Sequence, residues 1–303
     1  MKTMSILMAV SAVVLLVAIA GPAQAYEYPG FVLKDDNSLV AVHYYNGVER
    51  WDVDQTAHLG VELDEALQWF WYREGSAGGE QQVNPVNLTL DTQASRATDA
   101  NGDGWDDVAY LVYHDPDRFD VEVKVSLDGG PLNSGQSDLA EQVTITNTTA
   151  DETLDLYWFQ YADFDLGDTP DDDQVVYLGE GTAEMQEVVI AKQVDGTYEL
   201  IAAEVASVPF SHVEANVDNA IQDELNDPLT TVLDDTTTAS GNVEWAVQWH
   251  VNLAPGEAFQ FSADKMITII PEPAAMVILT AGGLATRGRG RRRGQGRRER
   301  LSA

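Results

Sequence analysis

Residues 119–125 read Phe119-Asp120-Val121-Glu122-Val123-Lys124-Val125, apolar and polar in strict alternation. Successive side chains of an extended chain point to opposite faces, so this stretch predicts a strand with one buried face and one wet face. The same period of two recurs at Phe31-Val32-Leu33, Leu39-Val40-Ala41-Val42, Val108 to Tyr113 and Val143-Thr144-Ile145-Thr146. Turn formers lie between such runs: Asn46-Gly47, Asp128-Gly129-Gly130-Pro131, Asn133-Ser134-Gly135, Asp195-Gly196 and Pro255-Gly256. Strands joined this way predict an all-β fold, an antiparallel β-sandwich, read as one large continuous body over residues 26–270. Helical periodicity is scarce. Val213, Val217, Ile221 and Leu225 mark the best candidate helix and Leu59 to Leu67 a weaker one. Asp168 to Asp173 and Asp223 to Gly241 interrupt the strand pattern and read as linkers or long surface loops.

The charge is as one-sided as the pattern is regular. Between Tyr26 and Ile270, 8 basic residues face 48 acidic ones, a net of −40. Such a surface repels nucleic acid and anionic lipid and attracts divalent cations and basic partners. Disorder is excluded by the Trp, Tyr, Phe, Val and Leu content, which is far above that of unfolded acidic chains. With no cysteine in the chain, disulfides, thiolate metal sites and a cysteine nucleophile are excluded too.

The two ends differ from this body. Residues 1–25 hold Lys2, an apolar run from Met8 to Ala20, the breaker Gly21-Pro22, and Ala23-Gln24-Ala25 before Tyr26, the layout of a signal peptide removed by signal peptidase. Residues 271–303 begin Pro271-Glu272-Pro273, continue with apolar Ala274 to Ala285, and end in a tail with eight arginines from Arg287 to Arg300. A short apolar span followed by cations is expected to stop in the membrane with its arginines on the cytoplasmic side, leaving the body outside. In its order, this terminus resembles the C-terminal sorting signal called PEP-CTERM. The resemblance covers about the last thirty residues. It implies handling by an exosortase-type membrane protease, which would recognise Pro271, Glu272 and Pro273 as its sorting motif. It also implies membrane contact only through the C-terminal segment before processing, and a final place at the cell surface or in the extracellular matrix, near exopolysaccharide.

Within the body, Asp99-Ala100-Asn101-Gly102-Asp103-Gly104-Trp105-Asp106-Asp107 puts an oxygen-bearing side chain at alternate positions with glycine where a tight turn is needed. Calcium takes about six to eight oxygen ligands. Asp99, Asn101, Asp103 and Asp107 are the candidate side-chain ligands, with the Trp105 carbonyl, for a Ca2+ cofactor. Tyr110 stands where a helical calcium loop has its final glutamate, so the motif is closer to the calcium loops of extracellular β-proteins. A second acidic run, Asp163, Asp165, Asp168, Asp171, Asp172 and Asp173, has looser spacing, and a charged surface loop is its simpler reading.

Aromatic runs stand at Trp69-Phe70-Trp71-Tyr72 and Tyr157-Trp158-Phe159-Gln160-Tyr161, and Trp249 lies beside His250. On strands, each run sends rings to both faces of its sheet. One face is core. The other is covered by a further layer or offers a platform for sugar, which makes Trp69, Trp71, Trp158 and Trp249 candidate carbohydrate contacts. The runs Trp69 to Arg73, Ser137 to Gln142 and Phe159 to Leu166 resemble a group of exported proteins that bear the same C-terminal tag, a resemblance that implies no activity.

No nucleophile elbow, zinc-protease helix or phosphate loop is present. The expectation is an exported surface or matrix protein, structural or carbohydrate-associated, with a calcium-stabilised loop. The alternative is a carbohydrate-active enzyme on a mutarotase-like or lyase-like sandwich, with its chemistry near Trp249 and His250 or near Asp163 and Asp165. Only Arg50, Arg73, Arg96 and Arg118 supply guanidinium groups in the body, few for an enzyme that must neutralise uronic acids.

Overall fold

The computed structural model describes residues 30–54, 57–59, 68–166, 170–178, 189–195 and 200–269. The expected signal peptide, the expected sorting motif with its apolar segment and arginine tail, and most of the Leu59 to Leu67 stretch lie outside them. Among the described residues, no helix is long and apolar enough to cross a membrane.

The strands, numbered in chain order, form two antiparallel sheets. The first runs β1 (Gly30–Asp35), β2 (Ser38–His43), β3 (Gly47–Val53), β5 (Gln68–Glu74), β12 (Leu154–Ala162), β18 (Val243–Leu253) and β16 (His212–Val217). Two short strands add to it, β4 (Ala57–Leu59) on β3 and β6 (Gln81–Gln82) on β5. The second runs β17 (Thr238–Gly241), β13 (Asp173–Leu178), β14 (Val189–Asp195), β15 (Leu200–Ala206), β19 (Ala258–Ile269), β11 (Ser137–Asn147), β10 (Phe119–Gly129), β9 (Val108–Asp115) and β7 (Thr89–Leu90), with β8 (Arg96–Thr98) on β9. The fold is thus the all-β antiparallel sandwich that the alternation predicts.

The period-two pattern becomes burial directly. In β10, Phe119, Val121, Val123, Val125 and Leu127 are buried, and in β11 so are Leu139, Val143 and Ile145, with Val123 opposite Val143. A slip of one residue would turn this entire set to water, so the apolar pattern itself fixes the register. Rings from the two sheets meet in the middle. Phe261 of β19 stacks on Trp249 of β18 at 4.3 Å and meets Phe70 of β5 edge-on at 6.3 Å, while Tyr72 meets Phe119 of β10 at 5.3 Å.

β5 and most of β12 are buried on both faces. The outer cover comes from the loop at 80–88 and from the segment that holds helix α1 (Ala220–Asn226). The Trp69 indole N–H donates to the Val83 carbonyl, Trp71 Nε1 donates to Asn226 Oδ1 at 3.1 Å, and Arg73 donates to the Thr231 carbonyl at 3.0 Å.

The helix expected from Val213 to Leu225 is corrected here. Val213 and Val217 belong to β16, where Val213 lies opposite Val247 of β18. Asp218 and Asn219 then take left-handed backbone at φ of 59° and 62°, which ends the strand, and only Ala220–Asn226 is helical. β-Branched side chains with a strand partner to pair with outweigh four positions of helical spacing. The first free N–H groups of this short helix are satisfied by Glu244 of β18, whose Oε1 accepts from Ile221 N at 2.7 Å.

Candidate functional site

The Asp99 to Asp107 loop joins β8 to β9, closed at its base by Asp107 N donating to the Thr98 carbonyl at 3.1 Å. Gly102 and Gly104 sit at φ of +85° and +98° with open space where a Cβ would stand, so backbone conformation and not crowding requires glycine. The side-chain oxygens turn in toward the loop's own N–H groups. Asp99 accepts from Gly102 N at 2.6 Å and Gly104 N at 2.9 Å, Asn101 Oδ1 from Asp103 N at 2.9 Å, Asp103 from Trp105 N at 2.8 Å, and Asp107 from Ala100 N at 2.8 Å.

One further residue belongs to the loop, and the sequence motif did not include it. Asp35, at the end of β1, accepts from Asn101 Nδ2 at 2.7 Å and from Gly129 N at 2.7 Å. A Cβ on Gly129 would lie 2.0 Å from the Asp35 carbonyl oxygen, so β10 can approach β1 this closely only at glycine. Burial raises the Asp35 carboxyl above its ordinary range, and the charges of Asp36, Asp128 and Asp103 act in the same direction against the Gly129 hydrogen bond. Trp105 is exposed, with the Lys34 ammonium 4.0 Å from its ring centre. The donor set is all oxygen, as calcium prefers. Its carboxylates are nevertheless spread along the loop, and no three of them come within 4.8 Å of one another. Among the described residues the acidic group that does is Asp172, Asp173 and Asp195.

The tryptophan expectation is corrected. Trp69, Trp71, Trp158 and Trp249 are all 2 % exposed or less, so none of these rings offers a face to a sugar. The layer built by residues 80–88 and α1 covers the outer face of β5, and the second sheet covers the inner one.

The histidines stand beside carboxylates. His250 Nε2 lies 2.7 Å from Asp155 Oδ1 and its ring stacks on Tyr157 at 4.1 Å; His212 Nδ1 lies 3.2 Å from Asp235. Asp163 accepts from the Tyr161 hydroxyl at 3.2 Å. His114 has Asp120 at 2.6 Å on one nitrogen and Asp91 at 3.5 Å on the other, and the hydrogen bond to Asp120 raises its pKa against a smaller opposing effect of burial. A histidine raised in the folded state adds stability that is full below the unfolded pKa and is lost as pH rises through the folded one. In an NMR titration, His114 should therefore show a midpoint above 6.5, and Asp120→Asn should bring it down. An unchanged midpoint in that variant would remove the assignment.

Sequence reasoning missed a charged cluster on the inner faces. Lys265 Nζ of β19 lies 2.7 Å from Glu141 Oε2 of β11 and 3.8 Å from Glu204 Oε1 of β15, and Gln160 of β12 donates to Glu204 from the opposite sheet. Lys265 and Glu141 are 1 % and 0 % exposed and Glu204 is 6 % exposed, so this group is sealed inside the sandwich. A second buried pair, Arg73 with Glu80, lies under the outer layer, the guanidinium 4.2 Å from the Tyr157 ring centre. The only sequence signal for either is a charge at an alternation position that should be apolar.

No protein-family profile matches the chain, and no curated protein does. Among solved structures, the chain is similar to a candidate aldose 1-epimerase from Escherichia coli K12, at 12 % identity and a TM-score of 0.48, over 80 % of this chain and 99 % of that one. It is similar to a bacterial glucoamylase complexed with acarbose, at 10 % identity and a TM-score of 0.49, over 82 % of this chain and 32 % of that one. A candidate aldose 1-epimerase from Klebsiella pneumoniae matches at 12 % identity and a TM-score of 0.41, over 82 % of this chain and 81 % of that one. No residue of this chain takes a role from these similarities.

Proposed function

We propose that this chain is an exported, non-catalytic component of the cell surface or extracellular matrix: an acidic β-sandwich scaffold, sorted through its C-terminus and stiffened by calcium at the Asp99 to Asp107 loop. The observation that carries the scaffold reading is the filling of the sandwich. Its inner faces hold a continuous aromatic and aliphatic core, and the charged cluster set into it, Lys265 with Glu141 and Glu204, is 6 % exposed or less at each member, too enclosed for a substrate to reach. An enzyme of sugars needs acid and base groups flanking an open cleft. The side chains of four histidines are described; none is among the buried residues, and each has a carboxylate within 3.5 Å.

Calcium binding is supported by the oxygen-only ligands and the two left-handed glycines. The ion would draw Asp99, Asn101, Asp103 and Asp107 around it, with the Trp105 carbonyl, at the expense of the hydrogen bonds these oxygens now accept from the loop. In thermal melting, saturating calcium should raise Tm of the wild type by several degrees, as binding to the folded state alone requires, and the loop's share of the rise should vanish in Asp103→Ala. A full calcium response in that variant would rule out the loop. The export half is tested by intact mass of protein recovered from the cell exterior. A chain that begins at Tyr26 and lacks the arginine tail supports it, and a cytosolic chain with Met1 and the tail in place refutes it.

A sugar-active reading is best seated at the half-exposed pair His250 and Asp155 on the outer face of the first sheet, beside Trp249. Loss of a measured sugar-converting activity in His250→Gln would establish it over the scaffold reading.

A further inference from the structure

A buried constellation at the β13–β14 end of the second sheet is used by nothing above. Asp173 opens β13, Asp195 closes β14, and the two are register partners across the ladder. Gln193, two residues before Asp195 on the same strand, projects to the same face. Asp173, Asp195 and Gln193 are each 1 % exposed or less, and Asp172 stands beside them nearer to solvent.

The hydrogen bonds fix how these groups point. Gln193 Nε2 donates to Asp173 Oδ2 at 2.7 Å and also to the Phe164 carbonyl, and Leu166 N donates to the same Asp173 oxygen at 3.3 Å. Exchanging the amide ends of Gln193 would set oxygen against two acceptors, so the nitrogen must stay where it is. This leaves Gln193 Oε1 and Asp173 Oδ1 as buried acceptors with no donor. Asp172 and Asp195 have interactions of their own; the two orphaned oxygens are on the other members. Leaving a buried acceptor unsatisfied is costly, so two such oxygens on side chains that are hydrogen-bonded to each other point to something positive beside them.

The spacing of the carboxylates agrees. One oxygen from each of Asp172, Asp173 and Asp195 lies within 4.8 Å of the others. Oxygens bound to one calcium at about 2.4 Å can be at most about 4.8 Å apart.

We propose that Asp173, Asp195, Asp172 and the Gln193 amide oxygen form a second cation site, built for a hard divalent ion of the calcium class. All of its donors are oxygens, with carboxylates and an amide carbonyl of the kind that calcium accepts and softer metals do not select. The ion pins the β13–β14 ladder to the Phe164 to Leu166 segment that leaves β12, and so ties the second sheet to the first. The site shares no residue with the Asp99 to Asp107 loop.

The test uses the full mature body, dialysed against chelator, in an Asp99→Asn/Asp103→Asn background that disables the loop and keeps the two sites distinguishable. Calorimetric titration with calcium chloride should show one remaining bound ion per chain and a rise in Tm. Adding Asp195→Asn should abolish that ion. Gln193→Glu keeps a ligand oxygen and adds a charge, so it should melt lower than its parent in chelator and show a larger rise in Tm with calcium. Because it retains the site, it decides the matter if Asp195→Asn fails to fold. A loop-disabled protein that takes up no stoichiometric calcium, or only weak binding spread over the acidic surface and abolished by moderate salt, overturns the proposal. So does a Gln193→Glu variant whose calcium response equals its parent's, the result expected if a buried water alone satisfies the two oxygens.

Discussion

Replacing Lys265 by Met should destabilise the fold by about 3–5 kcal/mol, the usual cost of removing one partner from a buried ion pair. Burial alone would pull the Lys265 ammonium down, but the charges of Glu141 and Glu204 and the hydrogen bond to Glu141 win, and it stays protonated. Burial pushes both glutamates up, and the lysine is the group that pulls them back. Without it, two carboxyls remain between the sheets with only amides beside them, and at least one must take a proton for the chain to fold. Urea unfolding is the measurement. The midpoint should fall sharply with an unchanged slope, and the loss should grow with pH, because carboxyls raised in the folded state cost more as pH climbs past their unfolded range. Lys265→Met combined with Glu141→Leu and Glu204→Leu should recover much of the loss, since an apolar set of similar volume does not need the pair. A single variant as stable as wild type would mean that solvent reaches the cluster.

That cluster also marks where sequence reading stops. The period of two at Phe119 to Val125 and at Val143 to Thr146 placed β10 and β11 and the sandwich they belong to, because alternation encodes which face is buried without reference to any partner. Partnership itself is not encoded locally. Lys265 and Glu141 are 124 positions apart and meet only because β11 and β19 are neighbours, with Lys265 two residues from direct register. Asp173 lay within an acidic run whose spacing is loose, and its true companions, Gln193 and Asp195, are a hairpin away. The Asp99 to Asp107 loop was legible as a turn, since Asp, Asn and Gly specify one by local hydrogen bonds; Asp35, which reaches it from β1, was not. The Val213 to Leu225 helix failed for the same reason in reverse. Its spacing was real, but β18 offered Val213 and Val217 a ladder, and two left-handed residues cut the segment in half.

The aromatic runs show how a correct local reading can leave function open. Strand geometry required rings on both faces of β5 and β12, and only the layer at 80–88 with α1 decides that the outer ones are packed and not presented. Trp158 is the sharpest test of the inner side. It is fully buried, with the Phe70 ring 5.7 Å away and Trp249 opposite it in register. Trp158→Ala should cost about 3–5 kcal/mol, because the core can only partly close over so large a void. Its indole N–H has no acceptor, so Trp158→Phe removes an unsatisfied donor along with part of the ring and should cost much less than the alanine change. A tryptophan that stacks on sugar at the surface would give the opposite pattern: near-wild-type stability for alanine, and glycan binding lost in both variants. Thermal melting and a glycan screen on the two proteins separate these outcomes, and a stable Trp158→Ala would return the ring to the surface and remove the filled core on which the scaffold reading rests.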